Sequence, residues 1–234
     1  MTLSSVFKQL SSDFWDVFFP PTCPICGREL TTEEVLCPAC LKSLPRTEQS
    51  VLRDNSTEQL FRDIRRFERG AAFLFFQHGS VVQDLVLSLK FNERPDIGYA
   101  LAKQAAKEFQ ETNFFEDIDV IIPVPLHPKR FRERGYNQAE WIARGVSEVT
   151  GIPMDTTHVL RLRNNPHQAA LKEKDRRVNT HGLFTVTHPE DLYRKHILLV
   201  DDVVTTGSTM RACIKALRTA RSCFVSVFAL ARPQ

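Results

Sequence analysis

Two groups of side chains in the 234-residue chain have the types and spacing to do chemistry. The first is a pair of Cys-x-x-Cys motifs, formed by Cys23 and Cys26 and by Cys37 and Cys40. Each motif predicts a tight turn that points two sulfurs at one place, and two such turns complete a tetrahedral thiolate shell for Zn²⁺. Four thiolates leave no open position, so the predicted zinc is structural. Two reduced or redox-active thiol pairs are the alternative.

The second group lies in the stretch ILLVDDVVTTGST, residues 197–209. Its aliphatic run predicts a buried strand over 197–200, which leads into the carboxylates of Asp201 and Asp202. Ligands of α/β proteins bind beyond the carboxyl ends of parallel strands. Two carboxylates at that position can accept hydrogen bonds from vicinal hydroxyls, as on a ribose, and they can lie near a bound Mg²⁺.

Small residues follow the acidic pair and lead into a helix that is predicted to begin near Met210. Small side chains leave backbone N–H groups accessible, and together with a helix N-terminus they form a cradle for an anion. The stretch therefore predicts a sugar 5-phosphate site. An ordinary strand, turn and capped helix is the alternative, although a buried pair of aspartates is costly without partners.

The same stretch resembles the phosphoribosyl pyrophosphate (PRPP) motif of the type I phosphoribosyltransferases. In that family the acidic pair contacts the ribose hydroxyls and the turn binds the 5-phosphate. The resemblance implies PRPP contacts from Asp201, Asp202, Val203, Thr205, Thr206, Gly207, Ser208 and Thr209.

A basic stretch, HPKRFRERGYNQ, follows a second predicted buried strand over 119–124. In phosphoribosyltransferases the loop after this strand binds pyrophosphate, a leaving group that needs N–H donors and guanidinium groups. The resemblance implies Arg132 and Arg134 as the main candidates, with Lys129 and Arg130 as weaker ones. The start of a solvated helix is the alternative.

Residues 161–179 are polar, basic and short of large apolar side chains, which predicts a functional excursion from the core. Their spacing resembles the flexible loop that closes over the substrate in this fold, carried here by Arg163, Gln168, Leu171, Arg176 and Asn179. The resemblance implies catalytic roles for Arg163 and Arg176. A solvated or nucleic-acid-binding loop is the alternative.

Three features in order extend the resemblance to nearly the whole chain: the four-cysteine unit, Pro-Val-Pro-Leu at 123–126 and Arg-Gly-Tyr-Asn-Gln at 134–138. This combination resembles the ComF family, phosphoribosyltransferase-like proteins associated with DNA uptake in naturally competent bacteria. The resemblance implies PRPP with Mg²⁺ as ligand, and single-stranded DNA or DNA-uptake proteins as partners. Two functions stay open: transfer of a phosphoribosyl group with release of pyrophosphate, and a non-catalytic PRPP sensor or single-stranded-DNA-binding factor.

Alternating strands and helices must position these residues. Apolar or amphipathic periodicity predicts helices over 2–19, 81–90, 97–109, 137–150 and 210–218, and strands over 71–77, 119–124, 197–200 and 223–229. Residues 46–69 are polar and charged and predict an exposed connection with a short helix. We expect an α/β fold of the type I phosphoribosyltransferase kind, a mostly parallel sheet flanked by helices with a small N-terminal zinc-ribbon-like domain. The predicted domains are 1–50 (helix and zinc unit), 51–110 (connecting, helical part) and 111–234 (phosphoribosyltransferase-like).

The composition, 42% hydrophobic and 25% charged, is typical of a globular protein. No apolar run approaches the roughly 18 residues of a membrane span, and no signal peptide is visible, so we expect a cytoplasmic location. Residues 1–119 hold 13 basic and 18 acidic side chains, a net of −5, while residues 120–234 hold 18 and 10, a net of +8. The basic second half predicts anionic partners. For DNA, the candidate contacts are Arg130, Arg132, Arg176 and Arg177.

Overall fold

The computed structural model describes residues 20–31, 34–91, 93–162 and 182–234. The chain divides into two compact units, residues 1–44 and residues 45–234. The helix predicted over 2–19 lies outside the described residues. Across the ranges that are described, no helix is both long and apolar enough to cross a membrane.

The first unit holds its cysteines in a paired turn and at the start of a short helix, α1 (Pro38–Ser43). Thr22 and Glu29 pair in antiparallel fashion on either side of the first Cys-x-x-Cys turn. Gly27 within that turn has a φ of 71°, a conformation that glycine adopts without the steric cost of a Cβ. Proline suits the first position of α1, because the N–H group that it lacks would have no partner within the helix.

A four-stranded parallel sheet with the order β1-β6-β5-β2 forms the centre of the second unit. A separate antiparallel hairpin pairs β3 with β4. The strands are β1 (Phe67–Phe76), β2 (Val120–Pro123), β3 (Val159–Arg161), β4 (Phe184–Val186), β5 (His196–Val203) and β6 (Phe224–Pro233). Parallel strands need crossover connections, and the helices between them provide these. The predicted parallel α/β fold is confirmed.

Five helices of the second unit are α2 (Val81–Phe91), α3 (Pro95–Gln110), α4 (Pro128–Arg134), α5 (Gln138–Thr150) and α6 (Ser208–Leu217). All but α4 were expected within two residues at each end. The expected strand over 197–200 was too short, because β5 keeps its pairing with β6 as far as Val203, which lies opposite Ala231. The strand expected over 223–229 likewise continues to Pro233.

Helices α3 and α5 pack unusually close together, which fixes the position of α5. A Cβ atom at Gly145 would lie 2.5 Å from the carbonyl oxygen of Tyr99, so only glycine permits this approach. The Tyr99 and Trp141 rings meet edge to face, with centroids 6.4 Å apart. Asn137 caps α5 by accepting from the Ala139 N–H group at 3.2 Å. The first residue of α5, Gln138, is thereby held at the sheet edge where the candidate site lies.

The segment before β1, expected to be an exposed connection with a short helix, is exposed over much of its length but is anchored in the core by a few buried side chains. Its buried members are Thr47, Gln49, Ser50, Asn55, Thr57 and Phe61. Asn55 donates from Nδ2 to the carbonyl oxygen of Gly70 at 2.8 Å, and Gln49 accepts from the Ala72 N–H group at 3.0 Å. Polar side chains are therefore buried here because they satisfy backbone groups of β1, a role that their polarity alone does not indicate.

Candidate functional site

The carboxyl ends of β2 and β5 lie side by side and bring together the segments that the sequence singles out. The Val124 N–H group donates to the carbonyl oxygen of Val200 at 2.8 Å. Asn137 then donates from Nδ2 to the carbonyl oxygen of Val124 at 3.1 Å. The basic stretch after β2 and the acidic end of β5 therefore border one edge of the sheet.

The two carboxylates belong to the last three residues of β5 rather than to the turn beyond it. Asp201 accepts from the Asp202 N–H group at 2.9 Å, and Asp202 accepts from the Val203 N–H group at 2.7 Å. Asp202 is 5% exposed. Each carboxylate is thus tied to the backbone, and both lie at the carboxyl end of β5, where ligands of parallel α/β proteins bind.

Two side chains that the sequence analysis did not single out as ligands partner Asp202. The ammonium of Lys90, in the last turn of α2, lies 3.0 Å from Oδ2 of Asp202. Gln138 donates from Nε2 to the same oxygen at 3.3 Å. The residues around Lys90 in the sequence do not indicate its contact with Asp202, since a lysine in the last turn of a helix is common. Its role depends on a contact 112 positions away along the chain.

Asp201 has no such ion pair in the described part of the chain, and its environment disfavours ionisation. Burial, followed by the adjacent charge of Asp202, raises the pKa of Asp201 to about 7, while the charges of Lys90 and Arg161 oppose the shift. The two carboxylates are therefore not equivalent: Asp202 has a paired cation and Asp201 depends on cations that lie farther away.

Arg161, the last residue of β3, was not predicted as a site residue. Burial lowers the pKa of its guanidinium, and the negative charge of Asp201 acts in the opposite direction. The guanidinium carbon lies 5.5 Å from the centroid of the Phe184 ring. Its Nε has no hydrogen-bond partner among the residues described. Arg161 therefore supplies a positive charge on the Asp201 side of the site.

The small-residue turn leads directly into α6. Gly207 adopts a φ of 69° and its carbonyl oxygen accepts from the Arg211 N–H group at 2.8 Å. Thr205 and Thr206 are exposed, and their hydroxyls make no hydrogen bond within the ranges described. Ser208 and Thr209 form the first residues of α6 rather than part of the turn. Free hydroxyls and the uncapped N–H groups of a helix start are thus next to each other, as an anion site requires.

The basic stretch after β2 forms a helix, α4, that divides its cations between site and solvent. Arg134 is half-buried and donates to the side-chain oxygen of Gln138. Burial lowers the pKa of Arg134, and the charge of Asp202 opposes this. Arg132 and Lys129 are exposed, and Arg130 is intermediate. Arg134 therefore lies near Asp202 at the candidate site, whereas Arg132 faces solvent.

The residues predicted to close over the substrate lie outside the described residues; they are Arg163, Gln168, Leu171, Arg176 and Asn179. The DNA-contact candidate Arg177 lies outside them as well. The hairpin on either side of them is described. Leu162 donates its N–H group to the carbonyl oxygen of Leu183 at 2.8 Å, and Arg161 pairs with Phe184. The predicted roles of these loop residues stay predictions.

The four N-terminal cysteines come together in the first unit. Their sulfurs all lie within 4.8 Å of one another, and those of Cys26 and Cys37 are 3.8 Å apart. Thiolates about 2.3 Å from a tetrahedral zinc are about 3.8 Å from each other. Cys37 also accepts a hydrogen bond from the Cys40 N–H group at 3.5 Å, which is typical of a cysteine turn around a metal. The cluster therefore fits a structural Zn²⁺.

Replacing Cys40 with serine should release this zinc and destabilise the first unit, because binding energy at a structural site is also folding energy. Elemental analysis should find about one zinc per chain in the unmodified protein and a clear loss in the variant. Cys223→Ala, which alters a buried cysteine outside the cluster, should keep the metal. A fully folded, metal-free unmodified protein would show that the cluster is not a zinc site.

Comparison with known proteins gives the family. A double zinc ribbon domain model matches residues 14–51, and a phosphoribosyl transferase domain model matches residues 91–234. Competence protein F of Haemophilus influenzae is 32% identical over 214 residues, which cover 91% of this chain and 85% of that protein. The chain belongs to the competence protein F (ComF) family.

Further relatives match this chain over a similar length. DNA utilization protein YhgH of Escherichia coli K12 is 30% identical and the match covers 90% of this chain and 89% of that protein. Competence protein ComFC of Bacillus subtilis is 25% identical, with 90% and 77% covered. Among solved structures, glutamine PRPP amidotransferase from Bacillus subtilis matches 61% of this chain and 30% of that chain at 21% identity, with a TM-score of 0.39. The ComF assignment rests on the sequence relatives and the domain models.

Proposed function

We propose that this ComF protein binds PRPP at the carboxyl end of β5. The observation that carries the proposal is the order of groups along one continuous stretch. Asp201 and Asp202 offer acceptors for the ribose hydroxyls, and the turn with Thr205, Thr206 and Gly207 offers donors for the 5-phosphate. A sugar phosphate needs these two kinds of group next to each other.

The pyrophosphate end would face the basic helix α4. Arg132 is exposed, and Arg130 is close enough to influence the pKa of Arg161, so both can meet an anion that arrives from solvent. Mg²⁺ bound with PRPP would neutralise part of the charge on the pyrophosphate. Arg134 contributes indirectly, because its guanidinium is engaged with Gln138. Arg163 and Arg176 keep their predicted role in covering the ligand.

If the protein is an enzyme, the bond between C1 of the ribose and the pyrophosphate breaks while positive charge builds on the sugar ring. The protein would then act by holding the sugar, stabilising the departing pyrophosphate and excluding water. No residue is assigned as a general base. The alternative is a protein that binds PRPP as a sensor or anchor without turning it over.

Release of pyrophosphate discriminates between these two functions. PRPP, Mg²⁺ and the protein should be incubated with purines, pyrimidines or single-stranded DNA as acceptors. Release that depends on one acceptor class supports a transferase. Tight PRPP binding without release under every condition supports the sensor.

The relatives called competence protein F and DNA utilization protein support DNA uptake as the biological process. We extend this to the present chain, with single-stranded DNA or DNA-uptake proteins as its partners. The cytoplasmic location expected from the sequence fits such a role and remains a prediction. Direct DNA contact would involve the basic second half, which carries a net charge of +8 by sequence.

Changing Arg130 and Arg132 together to alanine should weaken binding of single-stranded DNA and flatten its salt dependence. Phosphate contacts with single strands give a slope of about −0.7 in log affinity against log salt for each phosphate neutralised. Fluorescence anisotropy of a labelled oligonucleotide at several salt concentrations measures both quantities.

A comparison variant removes two exposed arginines of the segment before β1, Arg62→Ala with Arg65→Ala. It should leave the slope closer to that of the unmodified protein. Equal loss in both double variants would mean that DNA contacts are not concentrated near α4. No binding at low salt would remove direct DNA contact and favour protein partners.

A further inference from the structure

Lys90 and Asp202 form an ion pair that is largely shielded from solvent. Nζ of Lys90 lies 3.0 Å from Oδ2 of Asp202, and their side chains are 26% and 7% exposed. Such a pair differs from an exposed one, because breaking it leaves a buried charge without a partner. The matched phosphoribosyl transferase domain begins at residue 91, so Lys90 lies just outside the part of the chain that this domain model describes.

Further contacts fix the end of α2 beside the acidic pair. The Tyr136 hydroxyl donates to the carbonyl oxygen of Leu89 at 2.7 Å. The guanidinium carbon of Arg134 lies 5.8 Å from the centroid of the Phe91 ring. The residues on both sides of Lys90 therefore contact the Arg-Gly-Tyr-Asn-Gln motif, which holds the end of α2 beside Asp202.

The same motif reaches Asp202 from the other side. Arg134 donates to the side-chain oxygen of Gln138, which orients this amide so that its Nε2 donates to Oδ2 of Asp202 at 3.3 Å. Arg134, Gln138 and Lys90 thus form a connected set of donors around a single carboxylate. This gives the motif a structural role in addition to the pyrophosphate contacts that its resemblance implies.

Counting donors shows what remains available on each aspartate. A carboxylate has about four lone-pair positions. Asp202 already accepts from Lys90, Gln138 and the Val203 N–H group, which leaves about one position for a ligand hydroxyl. Asp201 accepts from the Asp202 N–H group and keeps more positions open. The free position on Asp202 has a fixed direction because the other three are occupied.

We propose that Lys90 is a positioning residue, which orients Asp202 toward a ribose hydroxyl and remains paired with it when a ribose phosphate binds. The proposal rests on the proposed PRPP site and adds a residue to it. If the Lys90 ammonium moved to the pyrophosphate instead, Asp202 would lose its paired cation. The adjacent carboxylates of Asp201 and Asp202 would then repel each other. Neither Arg161 nor Arg134 forms an ion pair with Asp202 among the described residues, so Lys90 is the cation paired with this carboxylate there.

Three ligands separate positioning from direct pyrophosphate contact. Calorimetric titrations of the full chain with PRPP, ribose 5-phosphate and inorganic pyrophosphate should be compared for Lys90→Met and the unmodified protein. We expect Lys90→Met to weaken PRPP and ribose 5-phosphate by a similar factor, about tenfold for one charged hydrogen bond. Pyrophosphate affinity should not change. Lys90→Arg should recover most of the loss, because it restores a cation beside Asp202.

Three further comparisons separate the positioning role from a general effect on folding. Tyr136→Phe removes the hydrogen bond to Leu89 and should produce a smaller loss for the same two ligands. Lys103→Met removes a remote ammonium that pairs with Glu148 at 2.7 Å and should leave all three affinities unchanged. In an Asp202→Asn background, Lys90→Met should have little additional effect on ribose 5-phosphate, because the carboxylate it orients is gone.

The outcomes distinguish this inference from the proposed function. If Lys90→Met weakens PRPP and pyrophosphate but not ribose 5-phosphate, Lys90 contacts the pyrophosphate and the positioning role is overturned while the PRPP site stands. Unchanged affinity for all three ligands would also overturn it. If the unmodified protein binds neither PRPP nor ribose 5-phosphate, the proposed function itself fails, and the positioning role fails with it.

Discussion

Replacing Asp201 and Asp202 together with asparagine should lower PRPP affinity by at least about a hundredfold. Asparagine nearly preserves shape but removes the negative charge of Asp202 and, at a pH above the raised pKa of Asp201, that of Asp201 as well. A hydrogen bond to a charged group contributes about 1.5–3 kcal/mol, which corresponds to roughly ten- to a hundredfold in affinity for each residue. Titration calorimetry with PRPP and Mg²⁺ measures the loss directly.

The single variants add information, because the two aspartates have different surroundings. Asp201→Asn leaves the Lys90–Asp202 pair in place, whereas Asp202→Asn strips Lys90 of its carboxylate and should also reduce stability. Asp84→Asn, at an exposed position early in α2, is a control for the loss of a carboxylate. Equal PRPP affinity in the double variant and the unmodified protein would rule out the acidic pair as the ribose site.

Gly207→Ala should both destabilise the second unit and weaken PRPP binding. Gly207 has a φ of 69°, and an added Cβ would lie 2.9 Å from Cζ of Phe61. Phe61 is fully buried and cannot easily move aside. We expect about 1–2 kcal/mol from the left-handed backbone and a further 1–3 kcal/mol or so from overpacking. The turn that holds the 5-phosphate would shift, so PRPP affinity should fall as well.

Gly79→Ala is the matched control for this change. Gly79 has a similar φ of 75°, but a Cβ there would meet nothing within 4 Å. The Gly79→Ala variant should therefore lose only the stability that the left-handed backbone costs, about 1–2 kcal/mol, and it should keep its PRPP affinity. Thermal unfolding and calorimetry of both variants separate the two effects. If the Gly207→Ala variant loses no more stability than the Gly79→Ala variant, Gly207 does not pack against Phe61 as closely as described.

The sequence was sufficient to predict those strands and motifs whose local residue pattern also reflects their burial. The apolar run of β5 could be predicted because a strand buried on both faces is continuously hydrophobic. The acidic pair and the small-residue turn were visible for the same reason, since they interrupt that run with groups that need a ligand or partners. The cysteine cluster was equally visible, because its spacing alone brings the sulfurs of each motif together.

The partners of these residues were less visible, because they depend on contacts between distant segments. Lys90 reads as an ordinary lysine at the end of a helix, and only the tertiary structure brings it to Asp202. Arg161 reads as one of several cations in a basic stretch, yet it is the one buried beside Asp201. Local polarity was also misleading before β1, where Asn55 and Gln49 are buried because they bind strand backbone.

Helix α4 is another element that hydrophobic patterning in the sequence did not predict. Its sequence is rich in charge and has no apolar face to bury, so hydrophobic periodicity does not mark it. Two local signals define it instead: His127 accepts from the Lys129 N–H group at 3.1 Å at its start, and Gly135 ends it with a φ of 83°. These caps determine which arginines face Asp202 and which face solvent, a division that composition could not give.

Titration of the unmodified 234-residue chain with PRPP in the presence of Mg²⁺ tests most directly whether the protein binds PRPP. We predict saturable binding to a single class of site. Ribose 5-phosphate and pyrophosphate should each compete for that site, because each occupies one part of it. Absence of binding at millimolar PRPP, with the protein folded and its zinc in place, would contradict the account.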